Sequence, residues 1–183
     1  MTYKGYLFGI GGNKMEYRKR VEKLLLSSGR EGMEKLLEWM AENGYYDEPD
    51  CDSQSSPVDG SLAAQSLYVL GIMEDMAYLL LHDNEDTLEA KRNSLAVCAL
   101  LHRIGILGTG LEETKEGEVE KKAVDIVSSF ITLDKEEERA LLCNEVVGRD
   151  FAANKGAAGM DYALLLFFAE KWVANEGKNG VKG

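Results

Sequence analysis

The stretch LAVCALLHRIGILG, residues 95–108, places one histidine near the end of an otherwise apolar helical run. A histidine in such a position can bind a metal ion, act as a general base or donate to a backbone carbonyl inside the core. Arg103 follows His102 directly, and its guanidinium is positively charged at every working pH and has no lone pair to donate. The chemistry of this doublet depends on the helices that position it.

Two other segments contain residues that could bind a ligand or take part in catalysis, and each has a simpler interpretation. His82-Asp83 follows an amphipathic stretch, where a histidine is favourable beside the negative end of a helix, so we interpret it as a solvated helix terminus. FGIGGNK, residues 8–14, superficially resembles a phosphate-binding loop, but no βαβ pattern follows it. The chain contains only 2 histidines, which excludes a metal site of three imidazoles within one copy.

The composition indicates an acidic globular protein with a substantial core. A total of 32 Asp and Glu against 21 Lys and Arg gives a net charge of −11, which disfavours binding to nucleic acid or anionic lipid. Cys51, Cys98 and Cys143 form no CxxC pair, so we expect neither a zinc knuckle nor a disulfide framework. Neither a signal-like N-terminus nor an apolar run of about 18 residues occurs, so we predict a cytoplasmic protein without a membrane span.

Hydrophobic periodicity predicts helices along most of the chain. The predicted helices cover residues 30–43, 61–82, 86–104, 119–131, a segment from 133–134 onward, and 160–174. Asp134 is the predicted N-cap of the fifth helix, and Glu137 lies three residues later at the spacing of a capping box. Loops are expected at 44–60, 105–117 and 148–159, and residues 3–10 form a short extended segment. The pattern predicts one all-α domain.

The block ALLHRIG resembles the second motif of the HD-domain metal-dependent phosphohydrolases. Four further segments resemble, in their order and spacing, a branch of small HD proteins found in phages and prophages. These segments are SGREGMEKLLEWMAENGYYDEP, DGSLAAQSL, FITLDKEEERALLCNEVVG and DYALLLFFAEKWVA. The likeness covers residues 29–175. It implies a single HD-domain-like bundle of about six to seven helices, with residues 1–28 packed on it as an N-terminal segment and residues 176–183 as a flexible tail.

The resemblance also assigns the family's metal positions to residues of this chain. The first-helix histidine of the family falls on Gln65. Its central His-Asp doublet falls on His102 and Arg103, and its late aspartate falls on Glu170. Two auxiliary histidines of some members fall near Val119 and Asn144. One of the four main positions is therefore unchanged, one is a carboxylate exchange and two are lost.

The two losses oppose metal binding on physical grounds. Gln65 offers a neutral amide oxygen, which is a weaker ligand for a transition metal than imidazole. A guanidinium charge at 103, about 5 Å from a dication, costs on the order of 6–7 kcal/mol at an effective dielectric near 20. It also replaces a carboxylate that helps to hold the activated water. We therefore expect no metal cofactor, and Mn²⁺ or Mg²⁺ only if the site is altered rather than lost.

The first hypothesis is an HD-like domain without catalysis that acts as a binding or regulatory module. In one form of it, Arg103 pairs bidentately with Glu170 while Gln65 hydrogen-bonds His102, so that a polar network replaces the metal. In the other form, Arg103 points to solvent and the site has decayed. A nucleotide or another phosphate-containing small molecule is the expected ligand, because the guanidinium fork suits phosphate oxygens.

Two further hypotheses stay open. The chain is an active phosphohydrolase with an altered metal site, which adds acidic residues such as Glu145 or Asp161 to His102 and Glu170. Alternatively, it is a structural helical protein that associates through the Met/Leu stripe of residues 69–81. The sequence sets neither a partner protein nor an oligomeric state.

Overall fold

The structure, a computed structural model, describes residues 14–47, 61–81, 85–107, 117–142 and 161–179. These segments contain seven α-helices: α1 (Lys14–Leu26), α2 (Met33–Glu42), α3 (Leu62–Leu81), α4 (Glu85–Leu101), α5 (Glu118–Ser128), α6 (Lys135–Leu141) and α7 (Tyr162–Asn179). A 3₁₀ turn, Ile104–Ile106, follows α4. The described part of the chain contains no β-strand, which confirms the predicted all-α class.

Helix α3 is the centre of the bundle. Every side chain from Leu62 to Glu74 is buried, which is the pattern of a helix covered on all sides. Helices α1, α4 and α7 pack against it, and α4 makes the most extensive contact. The apolar stripe from Val69 to Ala77 therefore belongs to the core, although Tyr78 and Leu79 beyond it are exposed. None of the described helices is long and apolar enough to cross a membrane.

Helix α1 is absent from the predicted elements. Its buried residues Tyr17, Val21 and Leu25 recur every four positions and face α3 and α4. The segment KMEYRKRVEKLLL is rich in charged side chains, so its helical periodicity is weak when the window is averaged. The helix could have been predicted from the spacing of these three residues alone.

Several helix ends differ from the predicted ones. Helix α4 stops at Leu101, and the chain then tightens into the 3₁₀ turn, whereas the prediction ran to 104. Helix α7 continues to Asn179, which places helix where a tail from residue 176 was expected. Several predicted features lie outside the described residues: 3–10, 8–13, Cys51, His82, Asp83, Cys143, Asn144 and Glu145.

The predicted capping box at the start of α6 is confirmed. The Asp134 carboxylate accepts from the backbone N–H groups of Glu136 at 2.9 Å and Glu137 at 2.8 Å. Glu137 Oε2 in turn accepts from the backbone N–H of Asp134 at 3.0 Å. These three backbone N–H groups are thereby satisfied by local side chains, as the spacing predicted.

Glu137 also forms a buried ion pair with Arg30, which comes from the turn between α1 and α2. Arg30 Nη1 donates to Glu137 Oε2 at 2.8 Å, Nη2 donates to Oε1, and Nη1 also donates to the carbonyl of Thr132 at 2.9 Å. Burial raises the pKa of Glu137, but hydrogen bonds from Arg30, Ser94 and the Asp134 N–H outweigh it and leave this pKa below its usual range. One carboxylate therefore joins the α1–α2 turn, α4 and α6.

Candidate functional site

The structure brings His102 and Glu170 into contact. His102 follows the last turn of α4, and its Nε2 lies 3.2 Å from Oε1 of Glu170 on α7. The imidazole is 6% exposed, whereas the carboxylate side chain is 33% exposed. Tyr162 at the start of α7 hydrogen-bonds Ser94 of α4, so the two helices run side by side in the same direction. The pair therefore lies where the α4–α7 contact reaches the surface.

The other ring nitrogen of His102 bonds to its own helix. Nδ1 lies 2.7 Å from the carbonyl oxygen of Ala99, and the backbone N–H of His102 donates to Cys98 at 3.2 Å. A carbonyl oxygen only accepts, so Nδ1 carries the hydrogen of this bond. The side chain thus satisfies one of the carbonyls that the end of α4 leaves open. This part of the geometry agrees with the interpretation of His102 as a core histidine bonded to the backbone.

The contact with His102 also affects the carboxyl group of Glu170. Burial raises the pKa of Glu170, but the hydrogen bond from His102 and the charges of His102, Arg103 and Lys171 outweigh it, so this pKa lies below its usual range. An ionised carboxylate accepts and cannot donate. The two side chains therefore form a polar contact that joins α4 to α7.

Arg103 acts on this pair through its charge. Glu170 takes its hydrogen bond from His102, whereas the half-buried Arg103 lowers the pKa of Glu170 electrostatically. The bidentate Arg103–Glu170 pair stays a prediction.

Gln65 is buried on α3, 6% exposed, in a helix that packs against both α4 and α7. Within the described segments, its side chain forms no hydrogen bond with His102 or Glu170. The predicted Gln65–His102 bond is not formed because Ala99 and Glu170 already engage both ring nitrogens. Gln65 therefore contributes to the core beside the pair without joining it.

Asp161 and Val119 make contacts away from the His102–Glu170 pair. Asp161 accepts from the backbone N–H of Ala163 at 3.0 Å and pairs with Arg139 at 2.9 Å, so it caps α7. Val119 lies on α5 with its carbonyl against Gly105. Neither residue adds a polar side chain to the His102–Glu170 pair.

Sequence reasoning missed Tyr45, which completes the end of α4. Its hydroxyl donates to the carbonyl of Leu100 at 2.6 Å, and the ring is fully buried. Burial raises the pKa of Tyr45, so the hydroxyl keeps its proton. The adjacent tyrosines in NGYYDEP were the only local signal, and they do not reveal a partner 55 residues away.

The residues present do not fit the divalent metal that the resemblance implies. Across the segments that the structure describes, no three His, Cys, Asp or Glu side chains are grouped as metal ligands require. Nε2 of His102 and Oε1 of Glu170 are engaged with each other. The charge of Arg103 adds repulsion toward a dication.

Comparisons with known proteins add no assignment to this geometry. No protein-family model matches the chain, and no significant match was found among curated proteins or solved structures. The function must therefore be inferred from the helices and from the His102–Glu170 pair.

Proposed function

We propose that this chain is an HD-like helical domain without phosphohydrolase activity that binds a phosphate-containing small molecule, such as a nucleotide. The observation that carries the proposal is the His102–Glu170 contact, in which two of the four positions assigned by the resemblance contact each other at 3.2 Å.

Hydrolysis of a phosphate ester in this superfamily depends on a metal that positions and activates water. Position 103 holds a guanidinium where the family has a carboxylate. This positive charge favours an anion and opposes a dication at the same place. The chemistry of these side chains therefore supports binding over hydrolysis.

The charges around Glu170 support an anionic ligand. The ring of His102 and the side chains of Arg103 and Lys171 all act on the pKa of this one carboxylate. A cluster of three basic groups is notable in a chain whose net charge is −11. Such a local positive region attracts small anions even on an acidic protein, and a guanidinium matches the oxygens of phosphate.

Metal analysis tests the loss of the metal site. The full chain, incubated with Mn²⁺ and desalted, is expected to retain less than about 0.1 equivalent, because the charge at 103 removes several kcal/mol of affinity. The double variant Gln65→His with Arg103→Asp is expected to bind Mn²⁺, whereas Gln65→His alone, the matched control, is not. Atomic emission spectrometry gives the stoichiometry. Stoichiometric metal with phosphatase activity in the unmodified chain would establish the alternative, an active phosphohydrolase.

Thermal unfolding tests the ligand. A nucleotide at 100 times its Kd adds about 2.7 kcal/mol of stability, which raises the Tm of a chain of this size by about 5–10 °C. Nucleotides, pyrophosphate and inorganic phosphate are the probes, without added metal. Arg103→Gln is expected to abolish the shift. Arg92→Gln, about three turns earlier on α4, is the control that keeps it. If a nucleotide raised the Tm of Arg103→Gln as much as that of the original chain, the ligand would bind away from Arg103.

A further inference from the structure

Helix α1 carries an exposed strip that the proposed site does not use. Met15, Lys19, Glu22 and Leu26 recur at i, i+4, i+7 and i+11 and share the face opposite Tyr17, Val21 and Leu25. The apolar side chains lie at the two ends of this α1 strip, where Met15 is 66% and Leu26 is 45% exposed. The charged side chains lie between them.

The α1 strip is complementary to itself when two copies lie antiparallel. Met15 and Leu26 are equally far from the middle of the strip, and so are Lys19 and Glu22. In an antiparallel pair, Met15 therefore faces Leu26 of the second copy, and Lys19 faces Glu22. A two-fold axis repeats each contact, as a closed dimer requires. In a parallel pair, each of these residues would instead face its own equivalent, which places like charges together.

We infer that α1 forms an antiparallel homodimer contact and that the partner on this surface is a second copy of this chain. The contact combines two Met15–Leu26 pairs with two Lys19–Glu22 pairs. Arg18 Nε donates to Glu22 Oε1 at 2.7 Å within one chain, and a carboxylate has a second oxygen that can accept from the lysine of the partner. The inference does not depend on the ligand proposed for the His102 region.

The α1 strip also suggests how strong the dimer is. A contact made by one 13-residue helix is small compared with the roughly 1,200–2,000 Å² buried in stable complexes. The exposed ion pairs contribute modestly, and the net charge of −11 on each copy opposes association. The dimer is therefore weak and reversible, with a Kd in the range of about 0.1–1 mM.

Charge exchange within the α1 strip tests the inference by sedimentation equilibrium of the full chain between about 10 µM and 2 mM. Lys19→Glu places two carboxylates opposite each other in both symmetry-related Lys19–Glu22 pairs and is expected to weaken the dimer roughly ten-fold. Glu22→Lys is expected to weaken it similarly. The double variant Lys19→Glu with Glu22→Lys restores both pairs with exchanged roles, and its Kd is expected within about three-fold of the original value.

Lys121→Glu on α5 is the matched control, because it makes the same change in net charge on an exposed lysine outside the α1 strip. Its Kd is expected to remain unchanged within about two-fold, and far-UV circular dichroism verifies the fold of each variant. A monomer at 2 mM would overturn the inference. So would a dimer that is insensitive to Lys19→Glu, or a folded double variant that fails to recover association.

Discussion

Replacement of Glu137 by alanine is expected to lower the free energy of unfolding by about 3–5 kcal/mol, the range found when one partner of a buried ion pair is removed. Glu137 has no exposed surface, and its carboxylate accepts from Arg30 twice and from the backbone of Asp134. The alanine variant leaves the guanidinium without its partner and opens the capping box at the same time. Few other single changes in the described helices remove so many bonds.

Urea unfolding at neutral pH measures the effect, and Glu138→Gln is the matched control. Glu138 is the next residue on α6 and is exposed, so its replacement is expected to leave the unfolding midpoint unchanged. An equal loss of stability in Glu137→Ala and Glu138→Gln would mean that the Glu137 carboxylate has no special role. The isosteric Glu137→Gln variant keeps the volume and separates lost charge from lost packing.

The pH dependence of stability provides a second readout for Glu137. Its pKa is lowered in the folded protein, so its contribution is fully present above the unfolded value of about 4.3 and is lost as the pH falls through the folded value. Below about pH 4.3, the stability of the original chain is therefore expected to decline more steeply than that of Glu137→Gln. Parallel pH profiles of the two proteins would contradict this assignment.

The second large effect is expected at Gly105, where alanine is predicted to destabilise the protein by about 3 kcal/mol or more. A Cβ atom there would lie 1.9 Å from the carbonyl oxygen of Val119 and 2.9 Å from the backbone nitrogen of Ala123. Both atoms belong to the backbone of α5, which cannot yield by a side-chain rotation. The helix must move away from the 3₁₀ turn, and the contact that holds α5 is lost.

Gly71 provides the control for Gly105 because it also lies in a buried position, but its added Cβ would meet no atom within 4 Å beyond its chain neighbours and the backbone of its own helix. Gly71→Ala is expected to stabilise α3 by about 0.5–1 kcal/mol, since alanine loses less backbone entropy in a helix. Thermal unfolding separates the variants, with the Tm of Gly105→Ala lower by at least about 6 °C. A Gly105→Ala protein as stable as the original would show that α5 does not approach the turn this closely.

The elements that the sequence predicts well are those set by local patterns. Asp134 and Glu137 form their capping box because three residues of spacing determine the geometry, and the apolar faces of α2 and α5 recur at helical intervals. The ion pair of Glu137 with Arg30 could not be predicted in this way, because its partner lies on another element. Spacing along one helix gives no information about which distant side chain it meets.

The candidate site shows the same division between local and distant information. The resemblance assigned His102 and Glu170 to one place, and they are hydrogen-bonded. The sequence could not reveal that Nε2 of His102 contacts Glu170, because that contact depends on the rotation of α4 where it ends. The bond of Tyr45 to Leu100 likewise depends on how the chain after α2 returns to α4.

The side chains that terminate α4 have an evolutionary consequence. His102 and Tyr45 satisfy the carbonyls of Ala99 and Leu100, which would otherwise lie unbonded at a buried helix end. A stable fold therefore gives a reason to retain a histidine at position 102 that is independent of catalysis. A histidine at this position is consequently not by itself evidence of activity.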